Sequence, residues 1–450
     1  MSSIQPTDGP FRVDQSHLLP NSNFADCGMH RGIQKMSKLN AWPLLFTGLF
    51  ATIPITATAD LLQLEHTQAP VGLGAEEPML SALNDGRLAM SWTEPDADGF
   101  AVKMAILEGR SWGNAQTIVR SESLFVNWAD FPSIIDLPDG TLAAHWLQGA
   151  EPYAYEYDVN IALSTDDGAS WGDTIVPHRD ETTSQHGFAS LLPVADDQFL
   201  TIWLDRRAYG KDETFELARD TPDAMQLRST QIRSDGTFSE DIVLDNQTCS
   251  CCQTSATVTG DGTLLVAYRD RTDDEIRDIA VVRQVAGEWM QPNIVHDDGW
   301  EISGCPVNGP AIDAFGEAAV VAWFTAADNV SAVKVAFSID NGETFDTPIS
   351  IDFGGATGRV DAMMLDESRA LITWVEWTGS AEVLYACTIR IDAACDHPHI
   401  VTTNNGSSSV NFPRMARIED KVYLAWTQAP ERGSESALRG TTICVVSFVF

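Results

Sequence analysis

Six arginines carry much of the reactive chemistry legible in this chain: Arg206, Arg207, Arg269, Arg271, Arg359 and Arg414. They stand in a sequence with only 28 Lys+Arg against 64 Asp+Glu. Each lies just after an apolar run that ends in Trp or Tyr, or just before the next such run. Guanidinium forks match carboxylates in a bidentate way, so a cluster of them points to an anionic ligand. The competing assignment is structural, with Asp205–Arg206 and Asp270–Arg271 as ion pairs between neighbouring loops. Asn127, Trp128, Asp130, His186 and Glu376 occupy the same kind of position. So do Cys249-Ser-Cys251-Cys252-Gln253 and Gly304-Cys305-Pro306. Either Cys251 or Cys252 pairs with Cys305 to tie two loops together, or Cys249, Cys251, Cys252 and Cys305 offer thiolates to copper or zinc. His178, His186 and His296 occupy the same set of loops and could add ligands, but no fixed Cys and His spacing selects a metal.

The elements that must position these residues form a repeat. Gly86-Arg-Leu-Ala-Met-Ser-Trp92, Gly140-Thr-Leu-Ala-Ala-His-Trp146, Asp197-Gln-Phe-Leu-Thr-Ile-Trp203 and Gly262-Thr-Leu-Leu-Val-Ala-Tyr268 begin it. Glu317-Ala-Ala-Val-Val-Ala-Trp323, Ser368-Arg-Ala-Leu-Ile-Thr-Trp374 and Asp420-Lys-Val-Tyr-Leu-Ala-Trp426 complete seven copies, with closing aromatics 51 to 65 residues apart. Period-2 alternation between turn-rich boundaries excludes a helical repeat. One strand precedes each copy and two follow. Four antiparallel strands per unit of this length suit a propeller blade, whose face is buried only by the next blade. The reading is all-β: a β-propeller of seven four-stranded blades. The last copy stops after its third strand, near residues 438–446. The segment Leu61-Leu-Gln-Leu-Glu-His-Thr67 is therefore expected to supply the missing outer strand and close the ring.

Residues 36–59 resemble a signal peptide: Met36-Ser-Lys38, an apolar run from Ala41 to Ile53, then Ala57-Thr-Ala59. At about 1.5 Å per residue the run gives ~20 Å of helix, too short for a ~30 Å hydrocarbon core. Residues 1–35 read as an extension or a mis-assigned leader, and 60–450 as a single propeller domain. A secreted or periplasmic chain can keep disulfides, and seven cysteines remain beyond residue 60, so at least one is expected to be unpaired or bonded elsewhere. Cys387 and Cys395 are placed to staple one hairpin. The net charge of -36 argues against nucleic acid and anionic membranes as partners. A monomer without cofactor, binding a glycan or another small anionic ligand, is the expectation.

Two turns carry a resemblance. Ser164-Thr-Asp166-Asp-Gly168-Ala-Ser-Trp171 and Ser338-Ile-Asp340-Asn-Gly342-Glu-Thr-Phe345 resemble the Asp-box, Ser-x-Asp-x-Gly-x-x-Trp, of sialidases and other bacterial-neuraminidase-repeat propellers. The resemblance implies six blades, with the Asp-boxes on the face opposite the active site. It also implies an arginine cluster holding a sugar carboxylate, a Tyr nucleophile paired with Glu, and an Asp acid/base. In this sequence it points to Asp130 as acid/base and to Glu376. Tyr153, Tyr155, Tyr157 and Tyr209 are the nucleophile candidates. The structural alternative for Asp130 is an N–H acceptor that fixes a loop. At the first blade, where the family pattern has Arg-Ile-Pro, the chain reads Glu76-Glu77-Pro78-Met79. Three functions follow: removal of a terminal acidic sugar such as sialic acid, non-catalytic glycan binding, or a cysteine-based metal site.

Overall fold

A sheet that is apolar on both faces needs a partner on each, and the seven copies supply it to one another. The computed structural model describes residues 63–449 apart from 98, 150–155, 181, 183, 210–224, 394, 396, 406–409 and 430–439. The leader expected over 1–59 lies outside the described residues, as do Tyr153, Tyr155 and the side chain of Tyr209. The described residues form seven antiparallel sheets arranged as a seven-bladed β-propeller, and the six-bladed alternative falls. Blade 6 gives the plan: Ala356–Asp366 innermost, then Arg369–Trp377, Ala381–Arg390 and His399–Asn405 outermost. The seven aromatic-ended copies are the second strands. They are buried on both faces, as in Leu88–Asp96 and Ala318–Thr325, because each blade is sandwiched between two others.

The ring closes as expected. Glu65–Thr67 pairs antiparallel with Thr442–Val449, Glu65 opposite Ser447 and Thr67 opposite Val445, so the seventh sheet is built from both ends of the chain. Blade 2 departs from the plan. Its sheet holds Ser133–Asp136, Leu142–Gly149 and Tyr157–Ser164, and the fourth strand expected near Ile175 is reduced to one bridge, Ile161 with Ile175.

The tryptophans that end the second strands are locked by a device that the repeat spelled out. Residues two apart in a strand share a face. Five indoles donate to the side chain two positions on: Trp92 to Glu94 (2.8 Å), Trp146 to Gln148 (3.2 Å), Trp203 to Asp205 (2.8 Å), Trp374 to Glu376 (2.7 Å) and Trp426 to Gln428 (3.0 Å). Each buried N–H is thereby satisfied, which removes a cost of about 1–3 kcal/mol per site.

The two Asp-box-like turns are also alike in detail. Ser164 and Ser338 donate to Asp166 and Asp340 and accept from the Gly168 and Gly342 amides at 3.0 Å. Each glycine has positive φ, 81° and 73°. Trp171 and Phe345 pack against the apolar clusters of their blades. Both turns join third and fourth strand positions, so they lie on the face opposite the starts of the inner strands. Cys387 and Cys395 form the local staple, Cα atoms 6.1 Å apart, and no described cysteine is free.

Glu376 also accepts from the Phe353 amide at 2.9 Å. Glu376→Ala would orphan the buried Trp374 indole N–H and is expected to destabilise the fold by about 1–3 kcal/mol. Glu376→Gln keeps an acceptor and is expected to melt close to wild type in a thermal denaturation.

Candidate functional site

Inner strands of a propeller converge on its axis, and here three of them are bent at that point. The pairing of the inner strands of blades 1, 3 and 6 slips between Glu76 and Met79, Gly187 and Ser190, and Gly358 and Asp361. Each slip holds a non-glycine residue at positive φ: Glu77 at 60°, Phe188 at 52° and Arg359 at 54°. Such backbone is costly and is kept where surrounding structure enforces it. Below these bulges a cavity of about 150 Å³ enters the ring, lined among others by Asp130, Phe131, Phe188, Gln253, Asp361 and Arg414.

Asp130 is buried at this mouth. Its Oδ2 accepts from the Phe188 amide at 2.6 Å. Burial outweighs that bond and pushes its carboxyl from 3.8 up to about 7. Gly187 permits a second group beside it. A Cβ at Gly187 would stand 2.8 Å from Asp130 Oδ2 and 3.4 Å from the Tyr157 hydroxyl oxygen, so the carboxyl and the phenol flank one point. Tyr157 is held by stacking on Phe125, centroids 3.9 Å apart. Glu77, in the segment where the resemblance has Arg-Ile-Pro, is fully buried with its carboxyl raised by burial, then by the charges of Glu76 and Asp130. It accepts from the Thr93 hydroxyl at 2.9 Å, and its Oε1 has no partner.

The six arginines separate into distinct places. Arg359 and Arg414 stand at the mouth. Arg414 lies over Phe131 (4.6 Å) and Phe412 (5.7 Å), 3.8 Å from Asp361, with its Nε lacking an acceptor. Arg359 sits 5.8 Å over Trp128 and bonds Glu382 at 3.2 Å. Trp128 is 43% exposed and stacks on Phe412 at 5.7 Å, forming a flat apolar surface beside two cations. Asn127 shapes this loop by accepting from the Ala129 and Asp130 amides.

Arg269 is instead interior. Its Nε, Nη1 and Nη2 donate to the carbonyls of Asn308 (2.9 Å), Arg277 (2.6 Å) and Phe324 (2.6 Å), and burial lowers its pKa to about 9. Arg271 bonds Glu275, which also holds Arg277. Arg207 pairs with Asp205 (2.6 Å) and Asp241 (2.5 Å). The observed ion pairs are thus Asp205–Arg207 and Arg271–Glu275, one residue or more from those the sequence suggested. Arg206 is half-buried at the end of its strand, its amide bonded to the Gln185 carbonyl. His186 starts the inner strand of blade 3, fully buried, and stacks on His178. His296 lies 3.7 Å from Asp298.

The cysteines form Cys249–Cys252 and Cys251–Cys305 disulfides, both with Cα atoms 5.9 Å apart. These pairings follow the disulfide reading of the sequence, with Cys251 joined to Cys305. Their effect falls on Gln253, a residue that the sequence argument passed over. Its Nε2 donates to the Ala129 carbonyl (2.7 Å) and its Oε1 accepts from the Gly309 amide (2.8 Å), joining blades 2, 4 and 5 across the mouth. The signal was its position directly after the paired Cys251-Cys252.

A scan against protein-family models and a search of curated proteins give no match. Solved structures similar to this chain include a protein of unknown function from Dyadobacter fermentans, 13% identical, TM-score 0.48, covering 86% of this chain and 98% of that one. An α-L-arabinanase of Penicillium chrysogenum, solved with arabinobiose, is 10% identical, TM-score 0.45, over 85% and 96%. A Trypanosoma rangeli sialidase complexed with sialic acid is 11% identical, TM-score 0.44, over 86% and 59%. Polysaccharide lyases also occur among these structures. The likeness is one of fold.

Two outcomes test the mouth. Asp130, Asp313 and Asp361 rise on folding from 3.8 to about 7, 6 and 6, each chiefly through burial. The folded chain therefore holds more protons than the unfolded chain between about pH 4 and 7. This stabilisation is complete below about pH 4 and is lost as pH rises through 6 to 7, so the urea midpoint is expected to fall from pH 5 to pH 8. Gly187→Ala drives a methyl into Asp130 and Tyr157 and is expected to cost about 1–3 kcal/mol in the same assay.

Proposed function

We propose that this chain is an exported glycan-active enzyme, a glycoside hydrolase that removes a terminal acidic sugar such as sialic acid at the channel mouth. The observation that carries the reading is the Asp130 carboxyl, raised to about 7, facing the Tyr157 hydroxyl across Gly187. A carboxyl at that value is half-protonated at neutral pH, which suits a general acid for a glycosidic oxygen. Tyr157 is then the nucleophile candidate, and burial raises the neighbouring Glu77 carboxyl, which disfavours a second negative charge near Asp130. Arg359 and Arg414 would attract the sugar carboxylate while Trp128 stacks on the apolar face of the ring. Hydrolysis of this kind needs no cofactor.

A second reading, a glycan-binding propeller without turnover, is favoured by one observation. The bond from Asp130 to the next blade's amide recurs at Asp313, which accepts from Met364 (2.7 Å), and at Asp361, which accepts from Met415 (2.6 Å). Asp130→Asn separates the two, because it keeps an acceptor for the Phe188 amide and removes the titrating proton. With a fluorogenic α-sialoside, the hydrolase reading expects kcat to drop by about 10²–10⁴-fold in Asp130→Asn at unchanged melting temperature. Wild-type kcat/KM is expected to decline above about pH 7 as the acid form is lost. No turnover by folded wild type, or equal turnover by the variant, would remove Asp130 from the chemistry. Retained binding of the sialoside would then support the second reading.

A further inference from the structure

Blade 2 lacks a regular fourth strand among the described residues, and the chain that takes its place carries His178 and Asp180 toward blade 3. There His178 and His186 stack with ring centroids 3.6 Å apart and planes 13° apart. Asp158, second residue of the third strand of blade 2, directs Oδ1 at both rings: 3.0 Å from His186 Nδ1 and 3.4 Å from His178 Nε2. Behind the rings, Asp180 lies 3.0 Å from His178 Nδ1 and 3.4 Å from His186 Nε2, and Asp205 lies 3.7 Å from His186 Nε2. Each imidazole therefore shows one nitrogen to Asp158 and the other to a deeper carboxylate. The side chains of His178 and His186 are 4% and 0% exposed, and His178 Nε2 and His186 Nε2 have no hydrogen-bond partner.

We propose that His178 Nε2, His186 Nδ1 and Asp158 form a binding site for a first-row divalent cation of the zinc and manganese class. Two neutral imidazoles and a carboxylate are a ligand set for such ions and leave coordination positions open. Metal-bound histidines usually donate their remaining N–H to a carboxylate, the position that Asp180 holds for both rings and Asp205 for His186. Asp180, Asp205 and Asp241 meet Arg207, and Asp241 also meets Arg228, while Asp158 faces the two imidazoles. Solvent access is through Asp158, whose side chain is 42% exposed. The ion would clamp blade 2 to blade 3 where the sheet edge is missing, independently of any turnover at the channel.

The test is equilibrium dialysis of tag-free, chelator-treated protein against Zn2+ or Mn2+, with metal measured by mass spectrometry and folding by circular dichroism. One ion per chain and a raised melting temperature are expected. Asp158→Ala, at the exposed ligand, is expected to keep the fold and lose the ion, as is His178→Ala where it folds. Asp180→Asn, a positioning residue, is expected to weaken binding by about 10–100-fold while stoichiometry at saturation is kept. Absence of a stoichiometric ion in wild type, or full binding by folded Asp158→Ala, would overturn the site.

Discussion

Every feature of this molecule depends on the requirement that a blade bury both of its faces. A four-stranded sheet with apolar residues of both parities has no stable existence alone, and the area it must cover is supplied by its two neighbours. Closure is therefore a condition of stability for all seven sheets at once. The pairing of Glu65–Thr67 with Thr442–Val449 meets it by placing the first described strand and the last side by side in one sheet. No sheet edge then remains where the ring would otherwise open.

The same requirement leaves polar groups stranded at the axis, where inner strands of adjacent blades meet without pairing in a common sheet. Backbone amides there need acceptors from across the gap. Asp130, Asp313 and Asp361 provide them, each reaching to the next blade. Dry surroundings raise the pKa of these acceptors, so the groups that hold the blades together are also groups able to exchange a proton near neutral pH. Structure and reactivity at the mouth arise from one cause. Asp130 differs from its two counterparts in what stands beside it, a phenol admitted by a glycine.

Much of the fold was legible in the sequence, because a repeat reports itself: seven aromatic-ended copies, two Ser-x-Asp-x-Gly turns and a terminal half-blade without a partner. The shortfall in blade 2 was not, since Trp171 and Ile175 fit the pattern while only one bridge forms. The site was legible by face and not by residue. Six arginines fell on the expected loops, but the role of a guanidinium is decided by which acceptors reach its five donors first, and that is tertiary. Arg269 spends its donors on three carbonyls and Arg207 on Asp205 and Asp241, whereas Arg359 and Arg414 lie against aromatic rings at the mouth. Glu376 carries a structural duty as well. It belongs to a Trp-x-acceptor pattern present in five copies, visible in the sequence once the repeats are aligned, and it serves Trp374 as Glu94 serves Trp92.

The channel mouth and the histidine cluster share two pieces of chain. Tyr157 and Asp158 are consecutive, as are His186 and Gly187, and consecutive residues of a strand project to opposite sides. Tyr157 and Gly187 stand beside Asp130, a lining residue of the mouth, whereas Asp158 and His186 form the cluster. Among the described residues, blade 2 has a single bridge, Ile161 with Ile175, in place of a regular outer strand. A cation joining Asp158 to His186 would tie those two pieces of chain to each other, a clamp between blades 2 and 3 that needs no turnover at the channel.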